Sequence, residues 1–399
     1  MSARLMHVDL DAFFVEVCRR RRPELAHVDQ LIVGGRSRRG VVQSASYGAR
    51  RTGVKAGMPI GEALRLCHGA TVFQGEFAWY REASRAVVAV LERHSPTVVM
   101  ASLDEAYLDF GGTDRLFPVS LLPVAERIRD DVKRETGLDC SVGIGPNRMV
   151  AKVASDRAKP RGLLEVRSGW ERGFLAGLPL KVLPGIGPKT AERWQVKGLN
   201  DVWQVQQMSV DALSRLVGST AAELKWRADG HGGTTLTRGR MARSISRETT
   251  LAHDARDPGR LEPLLTLLTA RVANQLREEG LMARTVTLKL RHGDFRTVTR
   301  RRTLDAPTDL DAELTAAALA LFRSAFTDTR AQHRGVRLIG IAASNLLEGV
   351  GTDLFEVPAR RRERELTRAV DRVRERFGFD AVTPAQLVRF QRRSPPAEG

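Results

Sequence analysis

His7-Val8-Asp9-Leu10-Asp11-Ala12-Phe13-Phe14 carries a short apolar strand, Leu5 to Val8, straight into acidic residues. A second acidic pair, Asp104-Glu105, follows 95 residues after Asp9, near the bend between two strands read from Val98 to Phe110. Carboxylates centred in a sheet cost free energy when buried, so a sheet that gathers them needs a compensating cation. Mg²⁺ suits them, because it takes hard oxygen ligands and keeps positions for phosphates. Two such ions ~3.5–4 Å apart can activate a hydroxyl and stabilise a leaving pyrophosphate. No His or Cys cluster accompanies the acids, which disfavours zinc. Taken singly, each acid reads equally well as a surface turn residue, and carboxylate pairs also serve nucleases and cyclases.

Outward from these stretches, a helix follows Phe13, a turn-rich segment spans Gly34 to Gly40, and Pro59 to Cys67 is helical. Trp79 to His94 predicts a longer helix with Val87, Val90 and Leu91 on its core face. Leu121 to Thr136 reads as helix, Cys140 to Ile144 as strand and Pro146 to Lys159 as helix, giving an α+β sheet domain with one large helical insertion. Gly177 to Gly233 predicts short helices broken by Gly and Pro. From Ser244 to about Leu347 the order is strand, helix, two strands, helix, strand, with His292-Gly293-Asp294 as a hairpin turn. Arg360 to Phe377 predicts a tail helix. Its Arg residues alternate with Glu363, Glu365, Asp371 and Glu375, which reads as a self-paired solvent face.

The chain of 399 residues holds 64 Lys plus Arg against 47 Asp plus Glu, a net charge of +17. That excess fits a polyanionic partner, nucleic acid above all. Cys18, Cys67 and Cys140 form no CxxC pair, which excludes a disulfide framework or a zinc ribbon and suits a reducing cytoplasm. No apolar run reaches the ~18–20 residues that span a bilayer, so no membrane partner is expected.

The motifs together resemble one family. His7 to Phe14 and Ser102-Leu103-Asp104-Glu105-Ala106-Tyr107-Leu108-Asp109 resemble the two metal motifs of Y-family (translesion) DNA polymerases of the DNA polymerase IV, or DinB-like, type. Ser44-Ala45-Ser46-Tyr47-Gly48-Ala49-Arg50 and Gly53 to Pro59 resemble its fingers motif. Val142-Gly143-Ile144-Gly145, Ala151 to Ser155 and Lys159-Pro160-Arg161-Gly162 resemble its third palm motif. The four agree in order and spacing across residues 4–162. Cys18 departs from the family, which commonly has Glu there, and Ser44 stands where Thr is frequent.

The resemblance implies an α+β multidomain right-hand polymerase. It would have a ferredoxin-like palm (1–13 and 76–166), small fingers (14–75) and a helical helix-hairpin-helix thumb (167–233). A basic linker (234–243), an α/β little-finger domain (244–350) and a C-terminal helix and tail (351–399) would follow. Asp9, Asp104 and Glu105 would be catalytic and hold two Mg²⁺ ions, with Mn²⁺ as the alternative and the Leu10 carbonyl as a further ligand. Ser44, Tyr47, Arg50 and Lys152 would hold the triphosphate of a dNTP, beside Phe13 and Phe14. Phe14 stands at the steric-gate position, where a ring under the sugar excludes a 2′-hydroxyl. Asp11 would support the turn.

Leu183-Pro184-Gly185-Ile186-Gly187-Pro188-Lys189 resembles a helix-hairpin-helix, where Gly185 and Gly187 bring backbone N–H groups to a phosphate and Lys189 adds charge. An ordinary turn between packed helices is the competing reading. Arg284, Lys289, Arg291, Arg300, Arg301 and Arg302 crowd one hairpin that resembles the little finger, and they imply sequence-independent, salt-sensitive DNA contact. Gln386-Leu387-Val388-Arg389-Phe390 resembles the sliding-clamp peptide of bacterial replication proteins. Arg389 stands where an apolar residue is preferred, and Gln386, Leu387 and Phe390 fit helix-end packing equally well.

The expected activity is template-directed, low-fidelity transfer of a nucleotide to a primer 3′-hydroxyl without proofreading, on primer–template DNA. The expected protein is a monomer in the cytoplasm, associated with the nucleoid. A catalytically silent, DNA-binding homologue would lack one of the three carboxylates. A nucleotide cyclase would not need the helix-hairpin-helix or the basic domain after residue 244.

Overall fold

The structure, a computed structural model, describes residues 4–35, 37, 39–237, 242–326, 334–348 and 358–382. It divides into two units, Met1–Gly239 and Arg240–Gly399.

The first unit opens with β1 (Leu5–Leu10) and α1 (Phe13–Arg21), followed by β2 (Leu31–Gly34), β3 (Val42–Ala45), α2 (Tyr47–Arg51), α3 (Ile60–Leu66) and β4 (Thr71–Phe73). Next come α4 (Phe77–Leu91), β5 (Val98–Met100), β6 (Glu105–Asp109), α5 (Leu122–Thr136), β7 (Cys140–Gly145), α6 (Arg148–Ala158) and β8 (Leu163–Glu165). Five short helices complete it: α7 (Glu171–Ala176), α8 (Pro188–Gln195), α9 (Val202–Gln207), α10 (Val210–Val217) and α11 (Ala221–Ala228).

The main sheet has the order β5-β6-β1-β7-β8, with β1 antiparallel to both neighbours. Alternation along β1 divides its side chains between two faces. Met6, Val8 and Leu10 join the core formed with α1, α4 and α5. The other face carries His7 and Asp9, whose partners on β7 are Gly143 and Ser141. A Cβ on Gly143 would lie 2.1 Å from Ala151 O and Ser155 N, and one on Gly145 would lie 2.8 Å from Ala151 N. The Val142-Gly143-Ile144-Gly145 pattern is therefore a packing instruction: the branched side chains fill the core, and the glycines let α6 lie close against the opposite face. This close seat carries the helix over Asp9 and Glu105.

A smaller sheet, β3-β2-β4, has its own core with Ile32, Val42, Ile60 and Ala63. The sequence reading gave no strands here, because runs of three or four residues carry little periodicity. Helices α7 to α11 share another core, around Leu175, Leu183, Trp194 and Leu213. Helix α1 falls after the expected palm boundary at residue 13. Its Val15, Val17 and Cys18 nevertheless pack in the main-sheet core, so physically it belongs to that layer.

The second unit runs β9 (Ser244–Ala255), α12 (Pro258–Glu278), β10 (Leu281–His292), β11 (Thr297–Thr308), α13 (Asp311–Phe326), β12 (Val336–Glu348) and α14 (Pro358–Phe377). Its sheet has the order β11-β10-β12-β9, and Val286, Leu288, Leu290, Ile339 and Ile341 share a core with α12 and α13. The predicted element order is observed, with a longer hairpin.

Helix α14 departs from the self-paired reading. Asp371 accepts from Arg277 Nε and Nη2 of α12 at 2.5 and 3.0 Å, and Arg360 and Arg374 pair with Glu313 and Asp311 of α13. Alternating charge in a sequence does not say which partner each charge will take. Here α12 and α13 supply many of them.

Candidate active site

Asp9 and Glu105 are cross-strand partners on β1 and β6, so their carboxylates share the face covered by α6. Asp9 is 2% exposed. Lys159 Nζ lies 2.7 Å from Asp9 Oδ2, and Lys152 Nζ lies 2.7 Å from Glu105 Oε1. Lys152 and Lys159 are seven residues apart, two helical turns, so α6 and its cap present both ammoniums to the same side. Asp156 lies between them, within 4.0 Å of each.

Burial raises the Asp9 carboxyl to about 7 in spite of Lys159. The Glu105 carboxyl is held down at about 2 by the His7 ring, whose Nε2 is 3.6 Å away, and by Lys152. His7 itself is fully buried, its Nδ1 2.6 Å from Ser155 Oγ, and burial lowers its pKa.

Asp104 is held differently. Ser102 Oγ donates to its Oδ1 at 2.6 Å, while Leu10 N donates to the Asp104 carbonyl at 2.9 Å. Thus the β5–β6 turn is tied to the strand end that carries Asp9. Among the described residues, no three His, Cys, Asp or Glu side chains already form a metal cage. The donor set nevertheless fits hard divalent cations. Two facing carboxylates, one buried, each have an ammonium on one oxygen, and a third acid, Asp104, directly precedes Glu105 in the β5–β6 turn.

Asp11 is the structural knot. Its carboxylate accepts from Ser141 Oγ at 3.0 and 3.1 Å, from Tyr47 Oη at 3.0 Å and from Arg161 N at 2.8 Å. These bonds join β7, the start of α2 and the loop after α6 around Ala12, which is left-handed at φ 46°. Burial and the Asp11 charge push the Tyr47 phenol upward, keeping it a donor. The Arg50 guanidinium lies 5.0 Å from the Tyr47 ring centroid and its Nε donates to Ala45 O. Ser44 is buried on β3, facing Val33 in register.

Phe13 is 1% exposed in the main core. Phe14 is only partly buried, edge-on to Tyr80 with centroids 4.5 Å apart. Of the two rings, only Phe14 retains an open side. Tyr80 in turn meets Cys18 Sγ at 3.2 Å, so the unusual cysteine belongs to the support of this ring.

Gly185 has φ +91° and Gly187 caps α8, with Lys189 exposed in its first turn. In the second unit, register divides the basic hairpin. Arg302 and Arg300 face Val286 and Leu288 across β10–β11, hence lie on the helix side, while Arg301 faces Thr287 on the open side. Lys289 and Arg291 alternate with core residues and share that open side, where Lys289 pairs with Glu248 at 2.6 Å. Arg284 is exposed beside a register shift, donating to Leu304 O. Gln386, Leu387 and Phe390 lie outside the described residues.

Sequence reading assigned no role to His7 or Lys159. The seven-residue step from Lys152 was the available signal for Lys159. For His7 the signal was strand alternation with Asp9.

The impB/mucB/samB family model matches residues 8–156, and the model of that family's C-terminal domain matches residues 242–354. The DNA polymerase IV of Dehalococcoides mccartyi (strain CBDB1) is 36% identical over 97% of this chain and 98% of its own. That of Caulobacter vibrioides (strain ATCC 19089 / CIP 103742 / CB 15) is 36% identical over 96% of this chain and 94% of its own. Among solved structures, a Y-family DNA polymerase chimera aligns with a TM-score of 0.74 at 25% identity, covering 86% of this chain and 99% of its own. An insertion ternary complex of Dbh DNA polymerase aligns at 0.58, with the same identity and coverage.

The chain belongs to the impB/mucB/samB family, the Y-family DNA polymerases. Its fold is that of a multidomain right-hand polymerase. It is a DNA-directed DNA polymerase of the translesion, DNA polymerase IV-like type, a nucleotidyltransferase that needs divalent metal.

Proposed function

We propose that Asp9, Asp104 and Glu105, with the Leu10 carbonyl, hold two Mg²⁺ ions for transfer of a dNTP to a primer 3′-hydroxyl, Mn²⁺ being the alternative. The observation that supports this most is the facing of Asp9 and Glu105 across β1–β6, each with an ammonium on one oxygen. When bound, the ions supply Lewis acidity toward the primer hydroxyl and neutralise charge on the departing pyrophosphate. The bond between the primer oxygen and the α-phosphorus forms as the α–β phosphoanhydride breaks.

The protein's share is positioning and charge. Lys152 and Lys159, released from the carboxylates, take phosphate oxygens, together with Arg50, Tyr47 and Ser44. Asp11 keeps Tyr47 and the strand end in one arrangement. Phe13 supports Phe14, and Phe14 closes the space under the sugar.

The palm comprises residues 1–13 and 76–166, the fingers 14–75, the thumb 167–233, and the little finger 244–350, beyond a basic linker at 234–243; the C-terminal helix and tail span 351–399. Cores around Ile32 and Ile60, around Leu175 and Leu213, and around Val286 and Ile339 support this division, although α1 packs in the palm core and α6 also packs against the thumb helices. Primer–template DNA is held through backbone contacts by Gly185, Gly187 and Lys189, and by the basic hairpin of the second unit. Gln386, Leu387 and Phe390 offer an anchor to a sliding clamp. The enzyme works as a monomer in the cytoplasm, at the nucleoid, with low fidelity and no proofreading. Among the described residues, no helix is long and apolar enough to cross a membrane.

Extension of a labelled primer on undamaged and abasic templates, with Mg²⁺ or Mn²⁺ as the only divalent ion, tests this reading. Extension that persists in excess chelator overturns the metal assignment.

A further inference from the structure

Arg19-Arg20-Arg21-Arg22 closes α1 with four successive guanidiniums, and they go to different places. Arg19 Nη1 lies 2.7 Å from Glu16 Oε1, and its Nη2 donates to Val28 O at 2.6 Å. Arg21 pairs with Glu82 of α4, and the Arg22 guanidinium lies 5.7 Å from the Trp79 ring centroid. Arg20 has neither a hydrogen bond nor an ion pair among the described residues. Its guanidinium rests on Gly137, the left-handed residue (φ +69°) that ends α5, where a Cβ would lie 1.7 Å from Arg20 Nη1. The carbonyl end of α5 attracts a cation, which accounts for the seat but supplies no paired acid.

Arg20 borders a cavity of about 530 Å³ between α1, α4 and the turn from α5 to β7. Val17 and Leu138, both buried, form its apolar floor, and Ala83 and Ala86 of α4 are small enough to leave the space. Glu82 and Glu135 stand on the rim, but both are taken: Glu82 by Arg21, and Glu135 by Arg93 at 2.6 Å and Arg134 at 3.0 Å. The cavity thus offers one unfilled guanidinium beside an apolar floor, which calls for an acceptor and an apolar group side by side. A nucleic-acid backbone suits it poorly, because successive phosphates would meet Glu82 and Glu135 and leave the floor empty. The location agrees: α1, α4 and α5 cover the face of the main sheet opposite Asp9 and Glu105, so an occupant stands clear of the reaction.

We propose that this cavity docks an acidic peptide segment of a partner protein. One apolar side chain of the peptide enters over Val17 and Leu138, and a neighbouring carboxylate closes on Arg20. The charge complementarity is local and one-sided: Arg20 is the cation left to fill, while the rim acids already have their guanidiniums. Docking there leaves the carboxylate face free, so partner and primer–template DNA bind together.

The probe is a fluorescein-labelled peptide, a short run of aspartates ending in one phenylalanine, read by anisotropy on the full chain. Primer–template DNA is present in excess, so that the basic surfaces that take DNA are filled. Arg20→Ala should weaken peptide binding about tenfold, the loss of one charge-assisted contact. Ala86→Phe, which fills the cavity without changing charge, should weaken it at least as much. Replacing the peptide's phenylalanine by alanine should cost the wild type about tenfold and Ala86→Phe nothing further, because the anchor is already shut out. Both variants should extend a primer as the wild type does, which also shows that they fold, and saturating peptide should leave that rate unchanged. No binding by the wild type up to millimolar peptide overturns the proposal, as do equal affinities in all three proteins. Displacement of the probe by oligothymidylate or inorganic phosphate as readily as by unlabelled peptide would make this a general anion site and overturns it too. So does peptide that slows extension, since it would place the cavity on the path of the DNA.

Discussion

Lys159 Nζ sits 2.7 Å from Asp9 Oδ2, and the carboxylate it neutralises is 2% exposed. In the metal-free protein the ammonium is the cation that a buried acid on a central strand requires. Lys159→Ala should lower metal-free stability by about 1–3 kcal/mol, the cost of leaving a buried polar group unpaired. Millimolar Mg²⁺ should restore much of that loss, because the ion binds only the folded site. Thermal unfolding with chelator and with Mg²⁺ measures both. A variant as stable as wild type in chelator would show that the pair contributes nothing to the fold.

Glu105→Ala and Asp104→Ala should each reduce extension by at least about a thousandfold while changing DNA affinity less than about threefold, because they remove oxygen donors for metal and no phosphate contact. Single-turnover extension beside anisotropy separates the two effects. Near-normal turnover in Asp104→Ala would mean that its bond to Ser102 is its whole role.

The basic hairpin gives a sharper expectation in the structure than in the sequence. Arg301→Ala should flatten the slope of log affinity against log salt by about 0.9, one duplex phosphate contact. Arg300→Ala and Arg302→Ala, on the helix side of β11, should change it by less than half as much. Equal slopes for all three would refute the division by face.

Much of the site was legible because its chemistry leaves few substitutes. Acids at a strand end and at a hairpin bend, and glycines alternating with Val142 and Ile144, each allow few structures. Parity along β1 and the seven-residue step along α6 were equally readable, and they would have brought His7 and Lys159 into the site. What stayed hidden depends on partners distant in sequence. Nothing local to Asp11 announces bonds to Tyr47, Ser141 and Arg161, and nothing in the Arg-rich helix α14 announces Asp311 or Glu313. The three adjacent arginines of β11 look like one cluster until strand pairing sends them to opposite faces.

Sugar selection should depend on Phe14 and on the ring behind it. Phe14 meets Tyr80 edge-on at 4.5 Å, and Tyr80 is 2% exposed, so the Phe14 ring rests on a buried support. If the incoming sugar lies over the open side of Phe14, a 2′-oxygen must overlap the ring, and a clash of that size costs about 1–3 kcal/mol. Phe14→Ala should therefore raise kcat/KM for a ribonucleotide, relative to the matching deoxynucleotide, by about 5- to 150-fold. Tyr80→Leu leaves Phe14 in place but loosens it, so the same ratio should rise by a smaller factor. Phe13→Leu changes a ring that is buried in the core, and it should cost stability without altering the ratio. Single-nucleotide insertion opposite one template base, with both sugars, measures all three variants. If Phe14→Ala leaves the ratio unchanged, the discrimination lies elsewhere, and the Phe13 variant then tells whether the neighbouring ring carries it.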